Sequence, residues 1–279
     1  MFGINRYVAV LTAYFSLRLG VQGAIAQITP DDTLGIESSI LTPDVSLNGQ
    51  VVHLIQGGAV RGDHLFHSFL DFNVDLGKSV YFDNPAATQA IFSRVTGNDV
   101  SKIFGTLGVA GSADLFLLNP NGILFGENAS LDIAGSFLAT TADAFQFDNG
   151  LSFSATNPQT APLLTVNVQP GLQFGNNPPS TITNLGQLQT GEHLTLAAEN
   201  LNLQGQLQAG ENLTLKAQDT VKLRDTNENP LTLAAGKDLL VQGNQTVDLF
   251  ALNHPQSGLF SGSEMVLRSG SPVIGDARY

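Results

Sequence analysis

Apolar residues along this chain fall into short bursts, each closed by Gly, Asn or Pro. Val51-Val52-His53-Leu54-Ile55, Ser79-Val80-Tyr81-Phe82 and Leu115-Phe116-Leu117-Leu118 are of strand length. They end at Gly57-Gly58, Asp83-Asn84-Pro85 and Asn119-Pro120. Bursts rich in β-branched and aromatic residues and bounded by turn formers predict β-strands. No long stretch repeats apolar residues at the i, i+3, i+4, i+7 spacing of an amphipathic helix; only residues 86–92 leave room for a helical turn or two. A Pro- and Asn-rich connection follows from Asn157 to Pro179, with a strand expected at 163–168.

From Thr181 onward the pattern repeats. Gly186, Leu188, Gly191, Leu194 and Leu196 recur as Gly205, Leu207, Gly210, Leu213 and Leu215, a spacing of 19, and Leu201-Asn-Leu203 recurs as Val221-Lys-Leu223 at a spacing of 20. A weaker copy runs from Leu231 to Val241, and 261–274 starts another. In a strand, the two leucines of Leu-x-Leu point to the same side. One such unit cannot bury its apolar face, whereas stacked copies form a continuous core. The predicted architecture is therefore all-β, a parallel β-solenoid. A leucine-rich-repeat horseshoe has a similar period, but it needs a helical segment in each repeat. An antiparallel sandwich leaves the recurrence unexplained.

Composition narrows the function. Charged residues are 13% of the 279, Lys+Arg 12 against Asp+Glu 24, with formal net charge −12 and no cysteine. That balance argues against nucleic-acid or anionic-membrane partners, which need clustered cations. It also leaves no disulfide framework, thiol nucleophile or Cys-ligated metal. At the start, Arg6 precedes the apolar run 7–17, and Ala24 and Ala26 place small residues before Gln27. This layout predicts a signal peptide over 1–26, too short in its apolar run to span a bilayer. The mature chain, at −14 without Arg6 and Arg18, is expected not to insert in a membrane.

Three ordered stretches carry a family resemblance. They are 65–74, containing Phe69, Phe72, Asn73 and Val74; then Arg94-Val95-Thr96-Gly97; then 115–126, containing Asn119-Pro120-Asn121-Gly122. With 135–141, the preceding signal-like segment and the repeats behind, they resemble the filamentous-haemagglutinin-type two-partner secretion (TPS) domain, the haemagglutination activity domain family. The resemblance implies a right-handed parallel β-helix with an N-terminal cap and short extra-helical hairpins. It further implies recognition by the periplasmic domains of an outer-membrane barrel transporter, followed by secretion to the cell surface or medium. Many relatives are adhesins, so a host or surface glycan or protein is a further partner it suggests. The expected organisation is a signal peptide (1–26), a TPS domain (27–165) and β-helix repeats of about 19–20 residues (166–279) that break off at Tyr279, as in a fragment of a longer exoprotein. A second family motif, Asn-Pro-Asn-Leu, is degenerate here as Asn84-Pro85-Ala86-Ala87.

Read from the residues alone, Asn119-Pro120-Asn121-Gly122 is a tight turn. Pro sets φ at the second position, Gly tolerates positive φ, and the Asn119 side chain can close the turn. Direct contact with the transporter is the alternative role. Phe66, Phe69, Phe72 and Val74 read as core or cap, and the segment 27–40 as the N-terminal cap. His64-x-x-His67 would face opposite sides of a strand, which disfavours metal binding. Asp31-Asp32 and Asp71/Asp75 read as surface acids, and no nucleophile elbow or P-loop occurs. The chain is therefore expected to be neither an enzyme nor a cofactor binder. The rival is a β-helical polysaccharide-binding or polysaccharide-degrading protein. It lacks cations, since no Lys or Arg falls between Lys102 and Lys216, and residues 188–241 hold no aromatic to stack on a sugar.

Overall fold

The computed structural model describes residues 28–148, 150–162, 170–175, 179–271 and 274–277. Three parallel sheets wrap around one hydrophobic column. In the repeats the chain visits them in turn: Gln187–Thr190, Leu194–Ala198, Asn200–Leu203, then Gln206–Ala209, Leu213–Ala217, Thr220–Arg224, and so on. Each strand pairs in parallel with its equivalent in the next coil. Leu188 stacks on Leu207, Leu233 and Leu259; Leu196 on Leu215, Val241 and Leu267; Leu201 on Val221 and Val247. The same column, lined by Leu65, Phe69, Ile91, Leu115 and Phe137 further up, is shared by the first coils and the repeats. The molecule is a parallel β-helix.

The coil length departs from expectation. Leu188 to Leu207 is a step of 19, but Leu207 to Leu233 and Leu233 to Leu259 are steps of 26. The additional residues loop out at 225–231 and 252–257 without breaking register. Asp225, 5% exposed, ties the loops together by accepting from the His254 N–H (2.7 Å), the Ser257 hydroxyl (2.9 Å) and the Asn253 amide (2.9 Å).

At the N-terminal end Ile28–Pro30 pairs antiparallel with His64–Phe72, and the hairpin Ser39–Leu47/Gln50–Gly57 covers a second sheet. The cap therefore extends well beyond residue 40. It includes the short strand Ala59–Arg61, folded back on His64–Phe72. An antiparallel three-stranded flap, Ala144–Gln146 flanked by Ser152–Ser154 and Gly171–Gln173, lies outside the helix. Phe145, Phe147 and Phe153 of the flap cover a second apolar cluster on the outer face of the sheet that holds His64–Phe72 and Leu194–Ala198, around Phe66, Phe92 and Leu118. Strand Ala90–Val95 is thus buried at every position, because both its faces are covered.

Residues 86–92 do not form a helix. Thr88 N–H bonds the Pro85 carbonyl in a turn (3.0 Å), and the strand begins at Ala90. Phe66, Phe69, Phe72 and Val74 are all buried, Phe66 in the outer cluster and the other three in the column. The signal segment with Ala24, Ala26 and Gln27, and the strand expected at 163–168, lie outside the described residues.

Candidate functional site: a cleft joining two motif turns and the flap

Two of the segments marked by the sequence, Arg94–Gly97 and Asn119–Gly122, meet at one cleft of about 510 Å³, lined by Val95, Thr96, Gly97, Pro120, Asn121 and, from the flap and its return, Ala155, Pro158 and Pro179; the stretch 65–74 does not line it. The floor is set by the Asn119–Gly122 turn. The Asn119 carbonyl accepts the Gly122 N–H (3.1 Å), and its side-chain oxygen accepts the Asn121 N–H (2.9 Å). The Asn119 amide, fully buried, donates to the Asp99 carbonyl (3.0 Å) and the Ser101 hydroxyl (2.9 Å). Asn121 in turn donates to the Gly97 carbonyl at 2.8 Å, so the two motifs are bonded to each other. Gly122 has φ +119°, and a Cβ there would sit 3.0 Å from the Thr181 carbonyl oxygen. At Gly97 a Cβ would lie 2.1 Å from the Leu70 carbonyl oxygen, so no larger residue fits without moving backbone.

Behind the cleft residues Val95 and Thr96 lies a buried polar latch centred on Arg94. The guanidinium has no exposed surface. It donates to the Ser68 hydroxyl (2.9 Å), the Thr33 hydroxyl (2.8 Å) and the carbonyls of Ser154 (3.0 Å) and Gln159 (2.7 Å), and it lies 4.1 Å over the Phe153 ring. Asp31 completes the network by accepting from the hydroxyls of Thr33 (2.6 Å), Ser68 (2.8 Å) and Thr96 (2.5 Å). Burial pushes the Asp31 carboxyl up, but these donors and the Thr33 N–H outweigh it and hold the group below its ordinary range. Burial lowers the Arg94 pKa to about 10, with Asp31 opposing. The guanidinium is charged at neutral pH. Cap, first coils and flap are thus pinned together by a single side chain.

The other predicted residues divide by role. Phe69, Phe72 and Val74 lie in the column, and the Asn73 side chain accepts the Lys102 N–H (2.8 Å), holding the second coil in register. Asn84 makes a comparable corner: with its amide donating to the Thr88 carbonyl (3.2 Å), its oxygen accepts from the N–H groups of Ser112 (3.1 Å) and Ala113 (3.2 Å). Asn84-Pro85-Ala86-Ala87 therefore keeps a turn despite its altered sequence, with Ala87 at φ +74°.

Asp31 is not the surface acid expected. Ser154 and Gln159 carry no sequence signal, since Arg94 reaches them across 60 and 65 residues, and Ser68, inside the family-like stretch 65–74, has no local pattern that marks it as a partner of Arg94. Asp31-x-Thr33, an Asx-type turn, is the one local sign. His64 and His67 do face opposite sides, His64 toward Phe92 and His67 toward Phe82.

Two curated relatives, both heme/hemopexin-binding proteins of Haemophilus influenzae, are 39% and 36% identical over 72 residues, 26% of this chain. The match spans only 8% and 7% of their own lengths. Among solved structures, the filamentous hemagglutinin secretion domain aligns with 89% of this chain and 98% of its own, at TM-score 0.48 and 16% identity. The model of the TPS secretion domain matches residues 26–277, nearly the whole sequence, and this chain belongs to the TPS secretion domain family.

Proposed function

We propose that this chain is the export-directing part of a secreted exoprotein of a two-partner system. In this reading a signal peptide over 1–26 takes it to the periplasm, and segments of the unfolded domain pair with sheet edges of an outer-membrane transporter's periplasmic domains. Emerging coils then fold onto the capped end. Folding on the far side, on the order of 5–15 kcal/mol for an ordinary domain, opposes back-sliding where no ATP is available. The mature exoprotein is extracellular or surface-held and non-catalytic, with an adhesin-like role carried elsewhere in it. The heme/hemopexin binding named for the relatives is not carried over, because the matched 72 residues are a small fraction of those proteins.

The observation that carries the reading is the family match over 26–277 together with the cleft where Val95-Thr96-Gly97 meets Pro120-Asn121. The test replaces Asn119 and Asn121 together with Ala in cells carrying the cognate transporter. Extracellular yield is expected to fall at least tenfold while the intracellular precursor persists. Unchanged yield and unchanged protease resistance of the secreted product would remove the role given to this turn.

A further inference from the structure

The corner where the chain passes from the Asn200–Leu203 sheet to the Gln206–Ala209 sheet changes length from coil to coil. After Phe125 it takes four residues, Gly126 to Ala129, closed by the Ala129 N–H on the Gly126 carbonyl (2.9 Å). In the next two coils it takes only two, Leu185-Gly186 and Gln204-Gly205, and in the coil after those it takes seven, residues 225–231. Two short corners therefore lie between two longer, exposed ones, which stand three strand spacings, about 14 Å, apart. The result is a notch of about 230 Å³. Glu127 and Asn128 form one wall, and Asn229 and Pro230 the other. Its floor is mostly bare backbone. A Cβ on Gly186 would lie 2.5 Å from the Gly126 carbonyl oxygen, and one on Gly205 would lie 2.4 Å from that of Gly186. Asn184, fully buried, fixes this floor by donating to the carbonyls of Gln204 (2.7 Å) and Gly186 (3.3 Å).

The same two coils carry Gly-Gln-Leu-Gln, at 186–189 and again at 205–208. The leucines enter the column, which leaves the glutamines outside, Gln187 beside Gln206 and Gln189 beside Gln208. The coils on either side hold Ser130 and Asp132, then Thr232 and Ala234, at these places. Gln187 and Gln206 border the notch, so the amide block and the notch are one surface. Among the described residues, the side chains of Glu127, Asn128, Gln187, Gln206 and Asn229 bond to no protein group, and the paired glutamines do not bond to each other.

One carboxylate and four carboxamides thus converge on a space whose apolar share is Leu185 and Pro230. A carboxylate accepts from neighbouring hydroxyls, and a carboxamide both donates and accepts, which suits a ligand with many hydroxyl groups. An anionic ligand would meet Glu127 and no cation, since no Lys or Arg lines the notch. An extended peptide would need free backbone partners. Here they are engaged, the N–H groups of Gln187, Gln206 and Thr232 donating to the carbonyls of Ala129 (3.1 Å), Gly186 (2.9 Å) and Gly205 (2.9 Å).

We propose that the notch and its glutamine block bind an uncharged oligosaccharide, with one sugar ring seated between the walls and the chain running out across Gln189 and Gln208. Glu127 accepts from hydroxyls of the seated ring, the amides bridge to the others, and Leu185 and Pro230 meet its C–H groups. Hydrogen bonds here take the place of aromatic stacking.

The experiment titrates the purified full chain, by calorimetry and amide NMR, with maltotetraose, mannotetraose and lacto-N-tetraose, and with tetragalacturonate as the anionic counterpart. The first two stand for microbial polysaccharides, the third for animal-cell glycans. At least one neutral probe is expected to bind, with shifts confined to 127–129, 185–189, 204–208 and 229–231, and tetragalacturonate is not. Glu127→Gln, and Gln187→Ala with Gln206→Ala, should each weaken binding about tenfold, as for lost hydrogen bonds. Asn202→Ala, on the neighbouring sheet, should leave it unchanged. If a variant does not fold, as read by circular dichroism, the wild-type shift map decides. No neutral probe bound, shifts elsewhere, equal binding of tetragalacturonate or undiminished affinity in the folded variants overturns the proposal. A lower urea midpoint in the glutamine variant, without sugar binding by the wild type, would make the block a stacking ladder instead.

Discussion

His67 sits inside the column with no exposed surface, its Nδ1 3.0 Å from the Ser39 hydroxyl, and burial pushes its pKa down to about 3. An unfolded histidine titrates near 6.5. Between those values the unfolded chain binds a proton that the folded chain refuses, so stability is full at pH 7 and falls as pH drops. The slope is about 1.4 kcal/mol per unit, or about 2 kcal/mol by pH 5. Urea midpoints at pH 7 and pH 5 should differ accordingly, and His67→Gln should remove that part of the difference. Asp31 has the same sign in a lower window: its held-down carboxyl stabilises above about pH 4 and that support is lost below it. Glycine at the coil corner is equally constrained. A Cβ on Gly210 would lie 2.0 Å from the Gly191 carbonyl oxygen, and Gly236 repeats the clash with Gly210. Gly210→Ala should destabilise by about 3 kcal/mol in chemical denaturation. Gly171→Ala, where the nearest atom is 3.8 Å away, should change little. The recurrence of these glycines is visible in the sequence. Their reason, backbone approaching backbone between coils, is not.

Among the elements, the flap has the least backbone support, since it bonds to itself rather than to the helix ladder. What holds it is side-chain packing together with the Arg94 hydrogen bonds to the Ser154 and Gln159 carbonyls. Phe153 meets Phe66 edge to face at 4.9 Å and carries the Arg94 guanidinium on its other contact. Phe66, Phe92 and Phe116 stack in register beneath it, at 5.2 and 4.5 Å between successive centroids. Phe153→Ala should cost about 3–4 kcal/mol locally. Limited proteolysis should then cut in 150–160 while far-ultraviolet circular dichroism is retained; an uncut flap would assign its attachment to Arg94 alone. The strand Ala90–Val95 shows why a helix was thinkable at 86–92. Burial on both faces removes the alternation by which a half-exposed strand is recognised. The repeats, with one face solvated, keep it: Leu213–Ala217 alternates buried and less buried positions along its length.

The whole molecule behaves as a stack, so its length should be adjustable in units of one coil. Deleting residues 187–205 joins Gly186 to Gln206 and preserves every register, because Gln206 follows Gly205 as Gln187 follows Gly186. The shortened chain is expected to keep its β signal per residue and one cooperative transition at a lower midpoint. Deleting ten residues from the same place should abolish that transition, and equal behaviour of the two would contradict the stacked core. Low charge suits this architecture, since like side chains lie one strand spacing apart on every face. Glu211, beside Glu192 and Asn212, is offset by Lys237 at 2.6 Å. The parallel β-helix was legible from sequence alone, because paired Leu-x-Leu strands recurring every 19–20 residues, with no helical segment between them, bury themselves by stacking, and that periodicity is local information. The turn at Asn119–Gly122 was legible for the same reason. The 26-residue coils, the Arg94–Asp31 latch, the flap over the aromatic ladder and the cleft between the motif turns were decided by tertiary structure. Each joins residues from separate coils, and which side chains meet there depends on how many residues each loop spends before rejoining the stack.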